Sequence, residues 1–352
     1  MRSRLPLVDF LKALASQLIV WHHLAYYGPM SDVALPLAPD LIRWLYNDGR
    51  YAVQVFLVVA GFLAVRGHAM TVNGKTVGPL LTQRFLRLAA PLPIVILLSI
   101  LAYLIADNLT TDGLDSQPPE LIQVAAHLFL VHKLFGFESL SAGLWYPAID
   151  FQLFATFLVL VWLADRFEWS LAGPVLVLTS LSALIFNRLP EFDALGLYFF
   201  GAYGLGVLTG LSNGRLHWYI VAVTFMSVAA LFVDFRERFA LALLISGLLW
   251  LALRHGSLMS CGKGRLVCWL SDISYSVFLV HFPILLVVNA AFTRIAADQP
   301  MVQAGGMVIG WLLSVFAGAL FYTFVDQPLQ ARLRSTFRGT LPAVTSGAPV
   351  GR

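Results

Sequence analysis

Four sets of polar residues in this chain have types and spacings that can do chemistry. The first is Lys12 with His22 and His23, inside an otherwise apolar run. Lys12 and His23 are eleven residues apart, which on a helix is three turns plus about 20°, so both lie on one face, about 16 Å apart along the axis. A histidine so placed has the right basicity to take a proton from a hydroxyl group. A snorkelling lysine plus a histidine bonding its own helix end is the plainer reading of the same spacing. His22 points about 100° away, where a structural role suits it. The second is Asp150, the one charge between Glu138 and Asp165. A carboxylate that accepts a proton from an imidazole fixes its tautomer and raises its basicity; a hydrated carboxylate at the membrane interface is the alternative. The third is Arg84 with Arg87, spaced to share a helix face. Two guanidiniums there suit phosphate groups, either those of a bound ligand or those of lipid headgroups. The fourth is His281, in mid-run and two residues before Pro283. That proline is expected to kink its helix and free backbone carbonyls. A histidine bonded to a neighbouring helix is the reading this place favours.

The elements that must carry these residues are membrane helices. Of 352 residues, 59% are hydrophobic and 12% charged, where a soluble domain carries about a quarter charged. Too few charges remain to cover a soluble surface, so the outer face is expected to meet lipid. Runs near the 20 residues needed to cross a bilayer fall at Val8–Tyr27, Tyr51–Val65, Phe85–Ala106, Leu144–Ala164, Leu171–Phe186, Ala194–Leu211, Trp218–Val233, Phe239–Leu253, Ser274–Phe292 and Val302–Phe324. The expected fold is therefore an all-α polytopic bundle of about ten transmembrane helices. The run opening at Val8 is read as a retained first span, because Asp9 and Lys12 interrupt it and no cleavage pattern follows. An eleventh run, Leu121–Val131, is shorter and holds His127.

Charge sets the orientation. With ten spans and a cytoplasmic N-terminus, the outside segments hold Arg43, Arg50, Lys133, Arg188, Arg236, Arg238 and Arg294, which leaves sixteen of the 23 lysines and arginines inside. That is the positive-inside bias. Counting Leu121–Val131 as a span would move Arg254, Lys263 and Arg265 outside, so it is read as an amphipathic or re-entrant helix in the outer loop Asp107–Gly143. Both termini are then cytoplasmic. Residues 1–328 form one transmembrane domain and residues 329–352 a basic, frayed tail. The inner loops Arg66–Arg84 and Arg254–Asp272 are too short for a soluble catalytic domain, so any chemistry belongs to residues in or beside the bundle.

Other chemistry is excluded. Cys261 and Cys268 match no zinc or redox spacing. His127 and His132 are five apart and do not share a face as metal ligands should, while His68, His217 and His255 stand in loops. No metal is expected. The net charge of +4 is spread over short loops rather than gathered in a stripe, so nucleic acid is not a partner. Ala60-Gly61-Phe62 lets helices approach closely, which is packing.

Taken together, these segments resemble the acyltransferase-3 family of integral membrane O-acyltransferases, over roughly Leu7 to Arg332. The stretch from Val8-Asp9-Phe10-Leu11-Lys12 to His23 is similar to the family's opening arginine followed by a histidine. Val55–Leu63 is similar to its FFVLSGFL segment, and Arg84–Pro91 to its RxxRxxxP stretch. Leu144–Gln152 resembles LWSLSVEEQ, Ile273–Pro283 resembles ISYxxYLxHxP, and Val325–Pro328 resembles the closing E-x-P. Here Lys12 stands for the arginine, Asp150 and Phe151 for the two glutamates, and Ala60 for the serine. The resemblance implies transfer of an acyl group, usually acetyl from acetyl-CoA (EC 2.3.1), to a hydroxyl of an envelope or exported glycan, by a multi-pass protein of the cell inner (plasma) membrane. It implies His23 and Asp150 as catalytic residues, with Arg84, Arg87 and Lys12 binding acyl-CoA, and His281, Tyr275, Gln152 and Trp145 as substrate or structural support. Acyl-CoA would be a substrate rather than a resident cofactor, and the partners a glycan or lipid-linked glycan and membrane lipids. A transporter or flippase for such a glycan has the same composition; only CoA-dependent turnover separates the two.

Overall fold

The computed structural model describes residues 4–67, 76–110 and 119–337. The parts of the expected Arg66–Arg84 loop, Asp107–Gly143 loop and C-terminal tail at 68–75, 111–118 and 338–352, including His68, lie outside the described residues. Among the described residues there is no strand. The helices are α1 (Pro6–Tyr26), α2 (Met30–Ala34), α3 (Pro39–Asn47), α4 (Val53–Val65), α5 (Val77–Ala89), α6 (Leu92–Leu109), α7 (Leu121–Leu128), α8 (Trp145–Arg166), α9 (Ala172–Leu184), α10 (Gly196–Ser212), α11 (Trp218–Val233), α12 (Glu237–Arg254), α13 (Gly256–Met259), α14 (Arg265–Ala296), α15 (Pro300–Phe321) and α16 (Gln327–Thr336).

Each expected span has a helix at its place, but not all reach membrane length and apolarity. Four helical stretches do: Val77–Leu109, Trp145–Arg166, Arg265–Ala296 and Pro300–Thr336. Pro39–Asn47 with Gly49–Val65, bent by 49°, makes a fifth if it is one span. The protein is thus a multi-pass helical membrane protein, with four to five such helices among the described residues. The shortfall has a physical cause. α9, α10 and α11 have 13, 17 and 16 residues, and α1 and α12 are diluted by Asp9, Lys12, His22 and His23 and by Glu237, Arg238 and Arg254.

Boundaries also moved. Helix starts at Val77, so Arg84 and Arg87 lie within α5 rather than at the mouth of a span; the chain breaks at Ala90-Pro91 before α6. α14 runs unbroken through Pro283 for 32 residues, so the proline ends no helix. After α15, a π-helical turn at Tyr322–Asp326 leads straight into α16, and helix continues to Thr336 where a frayed tail was expected.

The chain divides into two compact units: Met1–Phe56, Ala89–Ala148 and Ser257–Leu329 in the first; Leu57–Leu88, Ile149–Gly256 and Gln330–Arg352 in the second. In the first, α1 packs on α14, and α14 pairs with α15. Val20, Leu24, Ile42, Leu45, Ile273, Val277 and Leu285 form their shared core. Lys12 of α1 meets Ser271 of α14, and His23 meets His281, so the two helices run parallel. Small residues let α15 lie close to α14: a Cβ at Gly318 would overlap the Val277 side chain.

In the second unit α10 crosses α4. A Cβ at Gly206 would overlap the Val58 carbonyl oxygen, and one at Gly61 the Tyr203 carbonyl oxygen. The Gly61 reading as a packing residue therefore finds its partner in α10. Without a hydrophobic drive between helices in lipid, such close backbone contact is what holds them. Replacing Gly206 with Ala forces backbone apart at a site that cannot yield by side-chain motion, at a cost of about 1–3 kcal/mol. We expect Gly206→Ala to lower the thermal midpoint of the detergent-solubilised protein, measured by loss of the monodisperse peak after heating. An unchanged midpoint would show that the crossing is not tight. Gly78→Ala, where nothing lies within 4 Å of the added carbon, serves as the neutral comparison.

Candidate functional site

The first unit presents a pair of imidazoles. His23 Nδ1 lies 2.6 Å from His281 Nε2, with the rings 5° from parallel. His281 Nδ1 donates to the carbonyls of Phe278 at 2.8 Å and Val277 at 3.2 Å. A carbonyl can only accept, so the proton of a neutral His281 sits on Nδ1 and its Nε2 carries a lone pair. His23 Nδ1–H must then be the donor between the rings, which leaves the lone pair of His23 on Nε2. His281 is fully buried and His23 is 9% exposed. The arrangement fixes one tautomer of His23 and orients its basic nitrogen. The group that does so is an imidazole.

Lys12 holds the same two helices together at the far end. Its Nζ donates to the Ser271 carbonyl and to Ser271 Oγ, both at 3.2 Å. Ser271 Oγ in turn donates to Asp9 at 2.7 Å, and Arg4 bridges Asp9 and Asp272 at 3.1 and 2.5 Å. Lys12 and His23 do share a face, and that face looks onto α14. His22 turns away, donating from Nδ1 to the Leu45 carbonyl at 2.9 Å. Tyr275 is half-buried on α14. Trp145 begins α8 beside Tyr146, whose ring packs 5.3 Å from Phe278. Gly143 lies against the Phe278 carbonyl with no room for a side chain, which keeps the Trp145 end of α8 close to the turn of α14 that holds His281.

The second unit holds an ion pair. Arg84 Nη2 donates to both oxygens of Asp150, at 2.7 and 2.6 Å. The Asp150 side chain is 4% exposed and that of Arg84 22%. The guanidinium lies 5.1 Å over the Phe154 ring, and Tyr203 stands within electrostatic reach of both charges. Asp150, expected to orient His23 or else to contact the acceptor, bonds to Arg84 within its own unit. Of the two arginines expected at the donor phosphates, Arg84 bonds to this carboxylate and Arg87 is exposed. Gln152, two residues on, accepts from the Gly196 N–H at 2.8 Å and donates to the Ala194 carbonyl at 3.2 Å. It caps the start of α10, a structural task.

His127 and His132 stack at 3.9 Å. His127 donates from Nδ1 to Gln123 and accepts at Nε2 from the Leu140 N–H, so neither nitrogen is available to a metal. Among the described residues no cluster of three or more histidine, cysteine or acidic side chains could hold a metal ion. Burial, then the neighbouring His127 and Lys133, pushes His132 down to about 3, which keeps this pair neutral. The sequence could not reveal the His23–His281 or Arg84–Asp150 bonds, because each joins segments far apart in the chain.

Removing one member of a buried ion pair strands the other charge, at about 3–5 kcal/mol, while replacing both with apolar groups is often neutral. We therefore expect Arg84→Met and Asp150→Leu each to lower the thermal midpoint sharply, and the double variant to recover most of it. A double variant no more stable than the singles would mean that the two side chains do not act as a pair.

Comparison with known families agrees with this all-helical, membrane-embedded site. The family model described as an acyltransferase domain, Acyl_transf_3, matches residues 6–326, nearly the whole chain. Neither the curated proteins nor the solved structures give a match.

Proposed function

The chain belongs to the acyltransferase-3 family, and from that premise we propose that it moves an acyl group, acetyl first among candidates, from acyl-CoA to a hydroxyl of an envelope or exported glycan, as an enzyme of class EC 2.3.1. The observation that carries the reading is the fixed tautomer of His23. Its Nε2 takes the proton of the acceptor hydroxyl. The oxygen attacks the thioester carbonyl, the tetrahedral centre collapses, and the C–S bond breaks. The proton returns from Nε2 to the departing CoA sulfur, so the histidine ends as it began. His281 is the positioning residue: it accepts from Nδ1–H throughout and steadies the imidazolium formed in mid-reaction. The donor phosphates need cations, and Arg87, Arg84 and Lys12 are the candidates. We give Arg87 the direct contact, with Arg84 placing α5 through Asp150 and Lys12 holding α1 to Ser271.

Loss of a general base costs about 100- to 10,000-fold in rate. We expect His23→Ala to fall in that range with acyl-CoA as donor, and added imidazole to restore part of the activity. His281→Gln, which keeps an acceptor for Nδ1–H, should retain far more activity than His281→Leu, and both should lower kcat with little effect on the KM for acyl-CoA. A His23→Ala protein that inserts normally and acylates at the wild-type rate would end this reading. CoA-independent movement of a glycan across the membrane would replace it with transport.

We further propose that both termini are cytoplasmic, in the inner (plasma) membrane, with ten crossings. The positive-inside bias supports the side, and the parallel run of α1 and α14 supports the parity of the crossings. Parallel helices require an even number of crossings between their starts, and α14 is the ninth of ten spans. Counting Leu121–Val131 as a span would make the pair antiparallel. With Cys261 and Cys268 removed, we expect Glu138→Cys to react with an impermeant thiol reagent from outside the cell membrane and Ser335→Cys only after lysis. Labelling of both from outside would overturn the assignment.

A further inference from the structure

The two catalytic-site histidines stand at the end of a longer row of rings. Tyr27 lies 5.5 Å from His23, ring centre to ring centre, and Tyr26 meets Tyr27 edge-on at 5.0 Å. Tyr46 of α3 lies 5.0 Å from Tyr26, and Phe282 packs edge-on against Tyr27 at 4.9 Å. Tyr26, Tyr27 and Tyr46 are 48%, 41% and 45% exposed, whereas His23 is 9% exposed. The row therefore leads from open surface to the buried base.

The row is held in place. Ile42 and Leu45 seat α3 in the core of the first unit. His22 donates to the Leu45 carbonyl, one residue before Tyr46. Gly49, just past α3, packs against the His22 Cβ with no room for a side chain. His22 thus fixes the helix that brings Tyr46 to Tyr26, while its neighbour His23 faces His281. Trp44, also on α3, is 47% exposed and takes no place in the row.

We propose that Tyr27, Tyr26 and Tyr46 form the acceptor subsite, and that it takes a pyranose ring; this rests on the reading of His23 as the base that accepts the proton of an acceptor hydroxyl. A pyranose presents an apolar C–H face and a rim of hydroxyls. A tyrosine presents an apolar ring and a polar tip, so a shelf of three matches both at once. Aromatic side chains that merely mark a membrane interface have no need of ring-to-ring contact leading inward to a buried histidine.

The test uses the full chain in detergent, with methyl β-D-glucopyranoside, methyl β-D-galactopyranoside and methyl 2-acetamido-2-deoxy-β-D-glucopyranoside as probes, followed by saturation-transfer NMR. We expect the ring C–H protons of at least one probe to receive saturation. Tyr26→Ala and Tyr46→Ala should each weaken its binding by about three- to tenfold, the scale of one aromatic contact. Tyr46→Phe should keep most of the affinity, and Trp44→Ala all of it. The inference is overturned if no probe binds the wild type, if both alanine variants bind as the wild type does, or if Trp44→Ala loses as much as Tyr46→Ala, which is the interfacial-belt result. This readout needs no turnover. Tyrosine-dependent sugar binding without any acyl transfer would keep the subsite and remove the enzymatic reading; unaltered binding beside normal acyl transfer would do the reverse.

Discussion

The hydrogen bond between His23 and His281 sets terms that much of the first unit meets. It needs two helices from opposite ends of the chain to lie parallel, in contact and in register to within a fraction of a turn. Two polar contacts fix that register, Lys12 to Ser271 and His23 to His281. They span eleven residues on α1 and ten on α14, a difference of about 1.5 Å of rise, small enough for a modest crossing angle to absorb. Between and beyond them Val20, Leu24, Ile273, Val277 and Leu285 fill the interface. A slip of one residue on α1 would turn His23 by about 100° and bring His22 toward α14 instead. The bond of His22 to Leu45 opposes that slip, so the two adjacent histidines enforce each other's orientation.

The second unit meets a different constraint with the same economy. Asp150 is almost wholly buried in a helix, where an unpaired carboxylate would be far too costly to keep. Arg84 meets it by placing one nitrogen between both oxygens, and Phe154 covers the guanidinium face. The pair joins α5 to α8, and Gln152 extends the same stretch of α8 to the start of α10. Three residues of one segment, Asp150, Gln152 and Phe154, thus bind two other elements. In each unit a buried polar pair finds its partner within that unit, His23 with His281 in the first and Asp150 with Arg84 in the second, as groups in hydrocarbon must.

Much of this was legible in the sequence and some was not, for identifiable reasons. Helix positions followed from apolar runs, and the shared face of Lys12 and His23 followed from helical geometry alone, since both are local properties. The separation of His22 from His23 followed likewise. The number of helices fit to cross a membrane did not, because a run of apolar residues does not say where helix starts: α5 begins at Val77, well ahead of the expected span, and α9 stops after 13 residues. Partner identity was the other gap. Asp150 and Arg84 stand out in the sequence as charges in or beside apolar runs, but nothing in the spacing of 66 residues says that they meet. The same holds for His281, whose bond to a neighbouring helix was expected in kind; that the neighbour would be α1, 258 residues away, was not visible.

The residues that depart from the family pattern make sense against these contacts. Lysine at position 12 gives up the planar fork of arginine, but its acceptors are one backbone carbonyl and one hydroxyl of the same serine, both 3.2 Å from a single nitrogen. That target suits a compact ammonium with rotatable donors better than a fork built for carboxylate. At position 150 the shorter aspartate draws Arg84 close to α8, where its guanidinium also covers Phe154; a glutamate would push the charge one methylene farther out. Phe151 stands where the family has a second carboxylate and packs edge-on against Phe85, the residue after Arg84, at 5.7 Å. A second charge there would need a second cation, whereas the ring adds apolar contact beside the existing pair. Asp150 and Phe151 therefore both trade reach or charge for covered contact between α5 and α8, Lys12 trades the fork for a point contact between α1 and α14, and nothing in the structure explains Ala60.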